Sequence, residues 1–415
     1  MTKSNRRILI LTFAAIILVA GISIAFYLTV HEDDGVVLKG PVILRDSYVL
    51  SICQLPNGKF CIWSYDFESG NFKVLARREH SPQLLKGSTL SCIVWEEFPE
   101  NAESINVPWF ILSTGDDTPK PLKLDGLKAY LEEIGETGFK LTQADGEPGK
   151  FFVSLTSTCE AIPRPLAMFD SLTGLEIGRF PNIRKFAPSL CFIGPNREYL
   201  AVGDVDISGR TRIRLFDGDI FSELGHTSED LGIYGSTLTT TAIDQLVAQV
   251  TSFDFVVCRV ISKSEHPTIV VDKEIWFPEQ AWKNSAIVGL RNSAGQILAG
   301  DVSPHWLSKY RDVCDSYYRN GLIAWESVRP PRLRIARVDE PTSVTDYPLG
   351  HPGEHDWTFQ FSSDGTLIVT QSTLDSFQLL RVVLPDVSVE QECRLRYDAT
   401  SDTLNLERKI SPSSP

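Results

Sequence analysis

Short apolar runs separated by polar turns dominate the chain beyond Val36. The runs are rich in Val, Ile, Phe, Tyr and Thr, and clusters of Gly, Asn, Asp and Pro separate them. Such runs are typical of β-strands, and such clusters are typical of tight turns. Clear examples are SYVLSICQL, KFCIWSYDF, EYLAVGDV and RLRIARV. The pattern therefore predicts an all-β fold.

Two segments have helical periodicity instead, and we expect both to be short insertions. In LKAYLEEIG, the apolar residues around Leu127 share one helical face, and Gly135 provides a C-terminal stop. The second segment covers residues 303–317, with Ser303 as a cap and Pro304 at the first helical position. Its apolar stripe consists of Trp306, Leu307, Tyr310, Val313, Cys314 and Tyr317.

A tight-turn position between two apolar strands recurs along the chain. Neighbouring positions are about 45 to 51 residues apart, except for a last interval of about 70 that contains the second predicted helix. A four-stranded propeller blade occupies roughly 40–50 residues. We therefore predict a seven-bladed β-propeller over residues 41–410, with six or eight blades, or two stacked β-sandwiches, as alternatives. The recurring positions are Gly58, Ser104, Pro148-Gly149, Asn196, Asp244, Gly295 and Gly365.

Closure of such a ring requires the two ends of the chain to meet. A closed ring leaves few exposed strand edges, which protects it from pairing with other chains. We expect residues 41–44 or residues 403–406 to complete a blade whose other strands come from the opposite end of the chain.

Two segments resemble the WD-repeat family of propellers. Residues 349–382 contain Gly350-His351, a Ser-Asp-Gly turn and an apolar strand, followed by Ser372 and Asp375. Residues 192–218 resemble the later part of this repeat, with Phe216-Asp217 where Trp-Asp would end the strand. The resemblance implies that His351 has a structural role and hydrogen-bonds to Ser372 or Asp375 within its blade. It also implies a binding platform more often than an enzyme.

An uncharged apolar segment precedes the predicted propeller. Residues 8–30 read ILILTFAAIILVAGISIAFYLTV, which is roughly 34 Å of helix and long enough to span a bilayer core. A cleaved secretory signal is the alternative, but its apolar part is normally only about 7–15 residues long. Lys3, Arg6 and Arg7 precede the segment and acidic residues follow it, so the positive-inside rule places residues 1–7 in the cytoplasm. Residues 31–40 would then be a linker, and the propeller and the tail 411–415 would be extracytoplasmic.

Charge narrows the range of partners. The chain has 40 Lys and Arg against 53 Asp and Glu, for a formal net charge of −13. Nucleic-acid binding depends on Lys and Arg that displace counterions from phosphates, so we expect no nucleic-acid partner. The sequence has no Asn-x-Ser/Thr sequon, which favours the bacterial cell envelope over a secretory pathway.

Two of the eight cysteines have informative positions. Cys53 and Cys61 flank a Pro-Asn-Gly turn, which would place them directly opposite each other in a hairpin. A pair of packed thiols and a disulfide are both compatible with that position. No Cys-x-x-Cys pair occurs, so a zinc ribbon or a thioredoxin-like centre has no support.

The best candidate for a cation site is the sequence Asp-Val-Asp-Ile-Ser-Gly, which contains Asp204, Asp206 and Ser208. Three oxygens at alternate positions suit a hard cation such as calcium. The set is incomplete, because Leu215 and Arg212 stand where further carboxylates would be needed. We therefore interpret the segment as a polar hairpin and expect no cofactor.

Catalytic signatures do not occur in the sequence. It has no Gly-x-Ser-x-Gly elbow, His-Glu-x-x-His motif, P-loop or Gly-x-Gly-x-x-Gly after a strand. We expect a non-catalytic, membrane-anchored propeller that binds a protein or peptide, with Trp306, Leu307 and Tyr310 on the binding rim. The alternatives are a glycan-active hydrolase or lyase with carboxylates at the central channel, and an envelope component that assembles with itself.

Overall fold

Antiparallel strands follow one another along most of the described chain. The predicted cytoplasmic tail, the apolar segment 8–30 and the tail 411–415 lie outside the described residues. Within the described part, no helix is long and apolar enough to cross a membrane. The computed structural model describes residues 35–45, 48–85, 92–97, 108–113, 118–136, 138–144, 149–155, 163–184, 188–228, 230–231, 238–249, 254–262, 267–276, 289–299, 313–319, 321–328, 331–348, 356–361, 367–372, 376–383 and 386–410.

The described strands form seven sheets, numbered here in chain order. Sheet 1 contains β1 (Val37–Arg45), β2 (Tyr48–Gln54), β3 (Phe60–Asp66) and β4 (Asn71–Arg78). Sheet 2 contains β5 (Pro82–Leu84), β6 (Cys92–Glu97), β7 (Trp109–Ser113) and β8 (Lys120–Pro121), and α1 (Asp125–Ile134) follows it. Sheet 3 contains β9 (Phe139–Thr142), β10 (Lys150–Leu155), β11 (Arg164–Asp170) and β12 (Glu176–Ile183). Sheet 4 contains β13 (Ser189–Ile193), β14 (Tyr199–Val205), β15 (Thr211–Asp217) and β16 (Glu223–His226).

The last three sheets follow the same plan, and two of them are larger. Sheet 5 has six strands, β17 (Leu238–Ala242), β18 (Gln245–Gln249), β19 (Phe255–Ile261), β20 (Thr268–Trp276), β21 (Gly289–Asn292) and β22 (Ile297–Ala299). Sheet 6 has β23 (Val313–Arg319), β24 (Leu322–Val328), β25 (Pro331–Arg337) and β26 (Glu340–Pro348). Sheet 7 has five strands, β27 (Asp356–Phe361), β28 (Leu367–Ser372), β29 (Ser376–Val383), β30 (Asp386–Asp398) and β31 (Thr403–Ile410).

The sheets are arranged in a ring. Each sheet is an antiparallel meander of consecutive strands, and neighbouring sheets meet through their first strands, as β13 meets β17 and β23 meets β27. The first strands β1 and β27 are also in contact, which brings the seventh sheet back to the first. Radially repeated meanders of this kind form a β-propeller. The prediction of an all-β propeller is therefore confirmed.

The hydrophobic core lies in the spaces between neighbouring sheets. In sheet 4, Cys191, Ala201 and Leu215 pack against sheet 5, whereas Phe192 and Phe216 pack against sheet 3. Successive side chains of a strand point to opposite faces, so both faces of such a sheet are buried. This explains why the strands are apolar at nearly every position instead of alternating with polar residues.

The first predicted helix is confirmed as α1, which packs against the interface between sheets 2 and 3. Leu127 and Tyr130 are buried there, and Gly135 ends the helix with a left-handed φ of 68°. Near the end of the helix, Glu133 accepts two hydrogen bonds from the Arg179 guanidinium of β12, at 2.8 and 2.6 Å. These contacts fix the helix on sheet 3.

The second predicted helix is wrong over its described part. Val313–Arg319 form β23, in which Ser316 pairs with Trp325 and Tyr318 pairs with Ile323. The stripe of apolar residues suited a helix, but hydrogen bonding to β24 and packing in the ring override local periodicity at such a segment. Residues 303–312, which include the rest of the predicted helix, lie outside the described residues.

The predicted exchange of strands between the two ends of the chain is also wrong. Residues 41–44 belong to β1 and pair within sheet 1, whereas residues 403–406 belong to β31 and pair with β30 in sheet 7. Each terminal sheet is complete without the other end of the chain. Ring closure therefore depends on side-chain packing between sheets 1 and 7.

That closure, which we call the seam, combines an aromatic core with a polar edge. Its core holds the stacked rings of Trp63 and Phe377, whose centroids are 5.4 Å apart. At the edge, Arg77 of sheet 1 forms an ion pair with Asp402 of sheet 7 at 2.7 Å. Hydrogen bonds from Tyr397 and Arg77 lower the pKa of Asp402, so this carboxyl group stays ionised. The other buried residues of the seam are Val36, Val49, Cys53, Leu55, Cys61, Tyr65, Phe67, Cys393, Leu395 and Leu404.

We predict that Trp63→Ala lowers the free energy of unfolding by about 3–5 kcal/mol, because it removes a fully buried ring from the seam. In a double-mutant cycle with Phe377→Ala, urea unfolding should show a coupling energy of about 0.5–1.5 kcal/mol. Trp325→Ala is the matched control, since Trp325 is equally buried but packs between sheets 5 and 6. If the coupling energy between Trp325 and Phe377 were as large as that between Trp63 and Phe377, direct packing of Trp63 on Phe377 across the seam would be contradicted.

Candidate functional site

Several residues singled out from the sequence lie outside the described part of the chain. Ser372 ends β28, where its backbone pairs with Asp356. The binding role of the 303–310 segment and the structural role of His351 stay predictions. The predicted site residues outside the described set are Trp306, Leu307, Tyr310, His351 and Asp375.

Asp204 of the predicted cation site anchors sheet 4 through an arginine. Its side chain is 2% exposed and accepts a hydrogen bond at 2.7 Å from Arg214, which also pairs with Glu223 at 2.6 Å. A second hydrogen bond reaches it from the backbone N–H of Arg184, at 2.8 Å. A buried carboxylate needs such partners, because an uncompensated buried charge is strongly destabilising.

Asp206 and Ser208 close the β14–β15 turn. The Ser208 hydroxyl donates to Asp206 at 2.6 Å, the backbone N–H of Arg210 donates at 3.0 Å, and Arg212 lies 3.3 Å from the carboxylate. The Ser208 bond, with these neighbours, lowers the pKa of Asp206 to about 2. In the part of the chain that the structure describes, no group of three or more His, Cys, Asp or Glu residues could hold a metal ion. That the fold does not need calcium stays a prediction.

Cys53 and Cys61 lie directly opposite each other in β2 and β3, as the sequence predicts. Both are buried free thiols in the seam, and they are hydrogen-bonded to each other. This hydrogen bond and burial raise the pKa of Cys53, so its thiol keeps its proton. A disulfide between the two residues stays a prediction.

The first strands of the sheets line the centre of the ring, where the alternative of a glycan-active enzyme requires carboxylates. Five of them, β1, β5, β9, β13 and β17, contain no Asp or Glu, whereas Lys39 and Lys140 are exposed on them. Burial raises the pKa of Glu96, the direction that a general acid requires, but Glu96 lies in the second strand of sheet 2. The other two inner strands each contain one carboxylate, Asp315 in β23 and Asp356 in β27, so the glycan-active alternative stays a prediction.

One edge of the ring carries the turns that join the first to the second strand and the third to the fourth strand of each sheet. Backbone hydrogen bonds connect these turns within and between sheets. Within sheets 3 and 4, Ser171 donates to Gly149 at 2.9 Å and Gly218 donates to Glu198 at 2.8 Å. Between sheets 4 and 5, Gly194 donates to Ile243 at 2.8 Å. Hydrogen bonds therefore connect the turns of sheets 4 and 5, while the turn of sheet 4 meets sheet 3 through the Phe221 ring, which lies over Gly178.

Large apolar side chains are exposed on this surface. The exposed fractions are 59% for Leu172 and 63% for Leu175 in sheet 3, 70% for Ile220 in sheet 4, and 63% for Ile243 in sheet 5. We call these four residues the apolar rim. Scattered surface leucines are ordinary, but an exposed group on neighbouring turns is typical of an interaction site.

In sheets 1, 3 and 4, an aspartate starts the turn that joins the third strand to the fourth. Asp170 accepts hydrogen bonds from the backbone N–H groups of Leu172 and Thr173, at 3.0 and 2.7 Å. Asp66 in sheet 1 and Asp217 in sheet 4 do the same for their own turns. Although burial opposes the change, these bonds lower the pKa of Asp170. The side chains that follow each aspartate are therefore held by rigid backbone.

This surface was not predicted from the sequence, although the sequence contains a signal for its turns. Tyr65-Asp66 and Phe169-Asp170 are each followed, after two residues, by Ser-Gly or Thr-Gly, and Phe216-Asp217 begins in the same way. Comparing these three segments would have predicted the turns. It would not have shown that Ile243 of another sheet lies beside them, because that contact depends on the ring.

Phe221 holds the rim turn of sheet 4 in an unusual backbone conformation. Its φ is 58°, whereas the equivalent positions in sheets 1 and 3 are glycines, Gly70 and Gly174. A bulky residue in this region costs about 1–3 kcal/mol. The cost is offset by packing, because the ring lies over Gly178 and 5.1 Å from the ring of Phe180 in sheet 3. This contact holds the turn that carries Ile220 against sheet 3.

No protein-family model and no curated protein matches the chain. Among solved structures, the β-propeller domain of the Trilobed protease from Pyrococcus furiosus is similar with a TM-score of 0.43 at 9% identity, over 86% of this chain and 95% of that chain. A prolyl endopeptidase is similar with a TM-score of 0.46 at 10% sequence identity, and the match covers 90% of this chain and 54% of that chain. A chain of the mitotic checkpoint complex is similar with a TM-score of 0.41 at 12% sequence identity, and the match covers 81% of this chain and 87% of that chain.

The chain thus spans about half the length of the prolyl endopeptidase. The TM-scores are below 0.5 and the identities are at most 12%, so these similarities indicate nothing about activity. The propeller assignment rests on the order and contacts of the sheets.

We predict that Gly178→Ala lowers the free energy of unfolding by about 1–3 kcal/mol, because its Cβ would overlap the Phe221 ring. Gly149→Ala is the matched control, since no atom lies within 4 Å of a Cβ at that position, and its effect should stay within about 0.5 kcal/mol. Urea unfolding measures both. In a Phe221→Ala background, Gly178→Ala should lower the free energy of unfolding by less than it does in the wild type. An equally large decrease would contradict the contact between Phe221 and Gly178.

Proposed function

We propose that this protein is a non-catalytic, membrane-anchored β-propeller that binds a protein or peptide through the apolar rim. The observation that carries the proposal is the exposure of Leu172, Leu175, Ile220 and Ile243 on turns at one edge of three neighbouring sheets, where a backbone hydrogen bond joins the turns of sheets 4 and 5. The WD-repeat resemblance of residues 192–218, which form most of sheet 4 and include Asp217 at the start of its rim turn, supports a binding platform.

Rigid turns make exposed apolar side chains effective in binding. Asp170 holds the turn of Leu172, Asp217 holds the turn of Ile220, and a hydrogen bond from Gly194 holds Ile243, so little conformational entropy is lost when a partner binds. Burying one Leu or Ile side chain contributes roughly 1.5–3 kcal/mol. Four such side chains can therefore supply a large part of the free energy of a specific complex.

The residues predicted from the sequence form a second candidate surface. Trp306, Leu307 and Tyr310 belong to the connection between Ala299 of β22 and Val313 of β23. The end of β22 and the start of β23 both lie on the edge opposite the apolar rim. The two surfaces can therefore be tested separately in one binding assay.

We predict that Ile220→Ser with Ile243→Ser lowers recovery of the partner from membrane extracts at least tenfold, because two anchoring side chains are lost without a change of charge. The measurement is affinity capture on the full-length tagged chain. Ile207→Ser is the matched control, because Ile207 is 85% exposed but lies in the β14–β15 turn on the opposite edge.

Trp306→Ala with Tyr310→Ala is tested in parallel. Loss of recovery in that variant alone would move the binding surface to the 303–310 segment. Unchanged recovery in both variants would contradict a binding role for either surface.

The proposed location is the bacterial cell envelope, with residues 8–30 as a single membrane-spanning anchor. The support comes from the uncharged apolar length of this segment and from Lys3, Arg6 and Arg7 before it. The propeller then lies outside the cytoplasm, where the 37 Lys and Arg and 53 Asp and Glu that follow the anchor give a net charge of −16, which keeps it away from anionic lipid headgroups.

We predict that a reporter enzyme active only outside the cytoplasm is active when fused after Pro415. Replacing Lys3, Arg6 and Arg7 with Ser should lower this activity, because it removes the charges that set the orientation. Protein sequencing of the mature N-terminus is the second measurement. A silent reporter, or a mature chain that begins near His31, would contradict the anchor.

A further inference from the structure

The charges around the apolar rim define the partner more closely. The rim turns comprise residues 149–150, 170–175, 194–198, 217–222 and 243–244. They contain two basic residues, Lys150 and Arg197. The acidic residues outnumber them and are Asp170, Glu198, Asp217, Asp219 and Asp244. The exposed apolar side chains are therefore surrounded by an excess of negative charge.

Most of this negative charge is available to a partner. Among the described residues, no Lys or Arg forms an ion pair with Asp170, Glu198, Asp217 or Asp219, and Arg259 is 4.0 Å from Asp244. In the described part of the chain, the hydrogen bonds to these carboxylates come from backbone N–H groups and, at Asp170, from the Thr173 hydroxyl, and none of these donors carries a net charge. Asp219 and Asp244 are exposed and flank the exposed Ile220 and Ile243.

We propose that the apolar rim binds a segment of a partner protein in which apolar side chains are flanked by Lys and Arg. This inference rests on the proposed function and names the chemistry of its partner. Leucine- or isoleucine-sized side chains would bury the rim, and the cations would pair with the surrounding carboxylates. Such complementarity accelerates association and discriminates against wrong partners.

Two other occupants fit the surface less well. An anionic lipid surface attracts basic protein segments, so it would be repelled by the acidic turns. A second copy bound through the same rim would place acidic turns against acidic turns, since a two-fold contact pairs a surface with itself. Like charges brought together in this way oppose association.

The test selects peptides from a phage-displayed random library on the full-length chain in lipid nanodiscs, with empty nanodiscs for counter-selection. Peptides that bind the wild type should combine Lys or Arg with Leu, Ile, Phe or Trp and be poor in Asp and Glu. The strongest of them is then synthesised and its affinity for three variants is measured. The variants are Ile220→Ser with Ile243→Ser, Asp219→Asn with Asp244→Asn, and, as the charge-matched control, Glu132→Gln with Glu407→Gln.

The proposal expects the Ile variant to weaken binding at least tenfold and the Asp variant to weaken it about three- to tenfold at low salt. The control variant should leave the affinity unchanged, and high salt should remove the effect of the Asp variant. If the selected peptides are neutral or acidic, or if the Asp variant binds the peptide as tightly as the control variant does, the proposed basic character of the partner is wrong. The proposed binding role of the apolar rim would not be affected by either result. Peptides that bind the Ile variant as well as the wild type would overturn the proposed function too.

Discussion

Packing between the first and seventh sheets is the interaction on which the ring depends. Every other pair of neighbouring sheets is joined by the chain itself, but none of the described strands crosses the seam. The stacked rings of Trp63 and Phe377 and the ion pair between Arg77 and Asp402 therefore have to keep the ring closed. A closed ring restricts the rotation of each sheet against its neighbours, and this restriction holds the turns of sheets 3 to 5 in one surface.

Much of the fold follows from local sequence. The apolar runs predicted strands, and the recurring turn positions predicted a propeller, because each blade repeats the same local chemistry. The helix around Leu127 was also predictable, since its apolar face and Gly135 are local signals. The pairing of Cys53 with Cys61 follows from a turn of three residues, which sets the register of its hairpin.

What depends on distant contacts could not be predicted. Residues 313–317 have helical periodicity but form a strand, because β24 lies beside them in the ring. The spacing of Asp204 and Asp206 indicated a polar hairpin, but it could not show that Arg214 binds the buried Asp204 carboxylate. The apolar rim combines Ile220 with Ile243 of another sheet, and no sequence pattern brings those two residues together. The apolar rim therefore depends on the arrangement of neighbouring sheets in the ring.

The central claim is that a closed ring presents the apolar rim to a protein partner. Hydrogen–deuterium exchange of the full-length chain, with and without the captured partner, tests this claim most directly. The account predicts slower exchange on binding at residues 171–175, 218–222 and 243–244, with no change at the β14–β15 turn around Ile207 on the opposite edge. Protection of that opposite edge, with unchanged exchange at the three rim segments, would contradict the account.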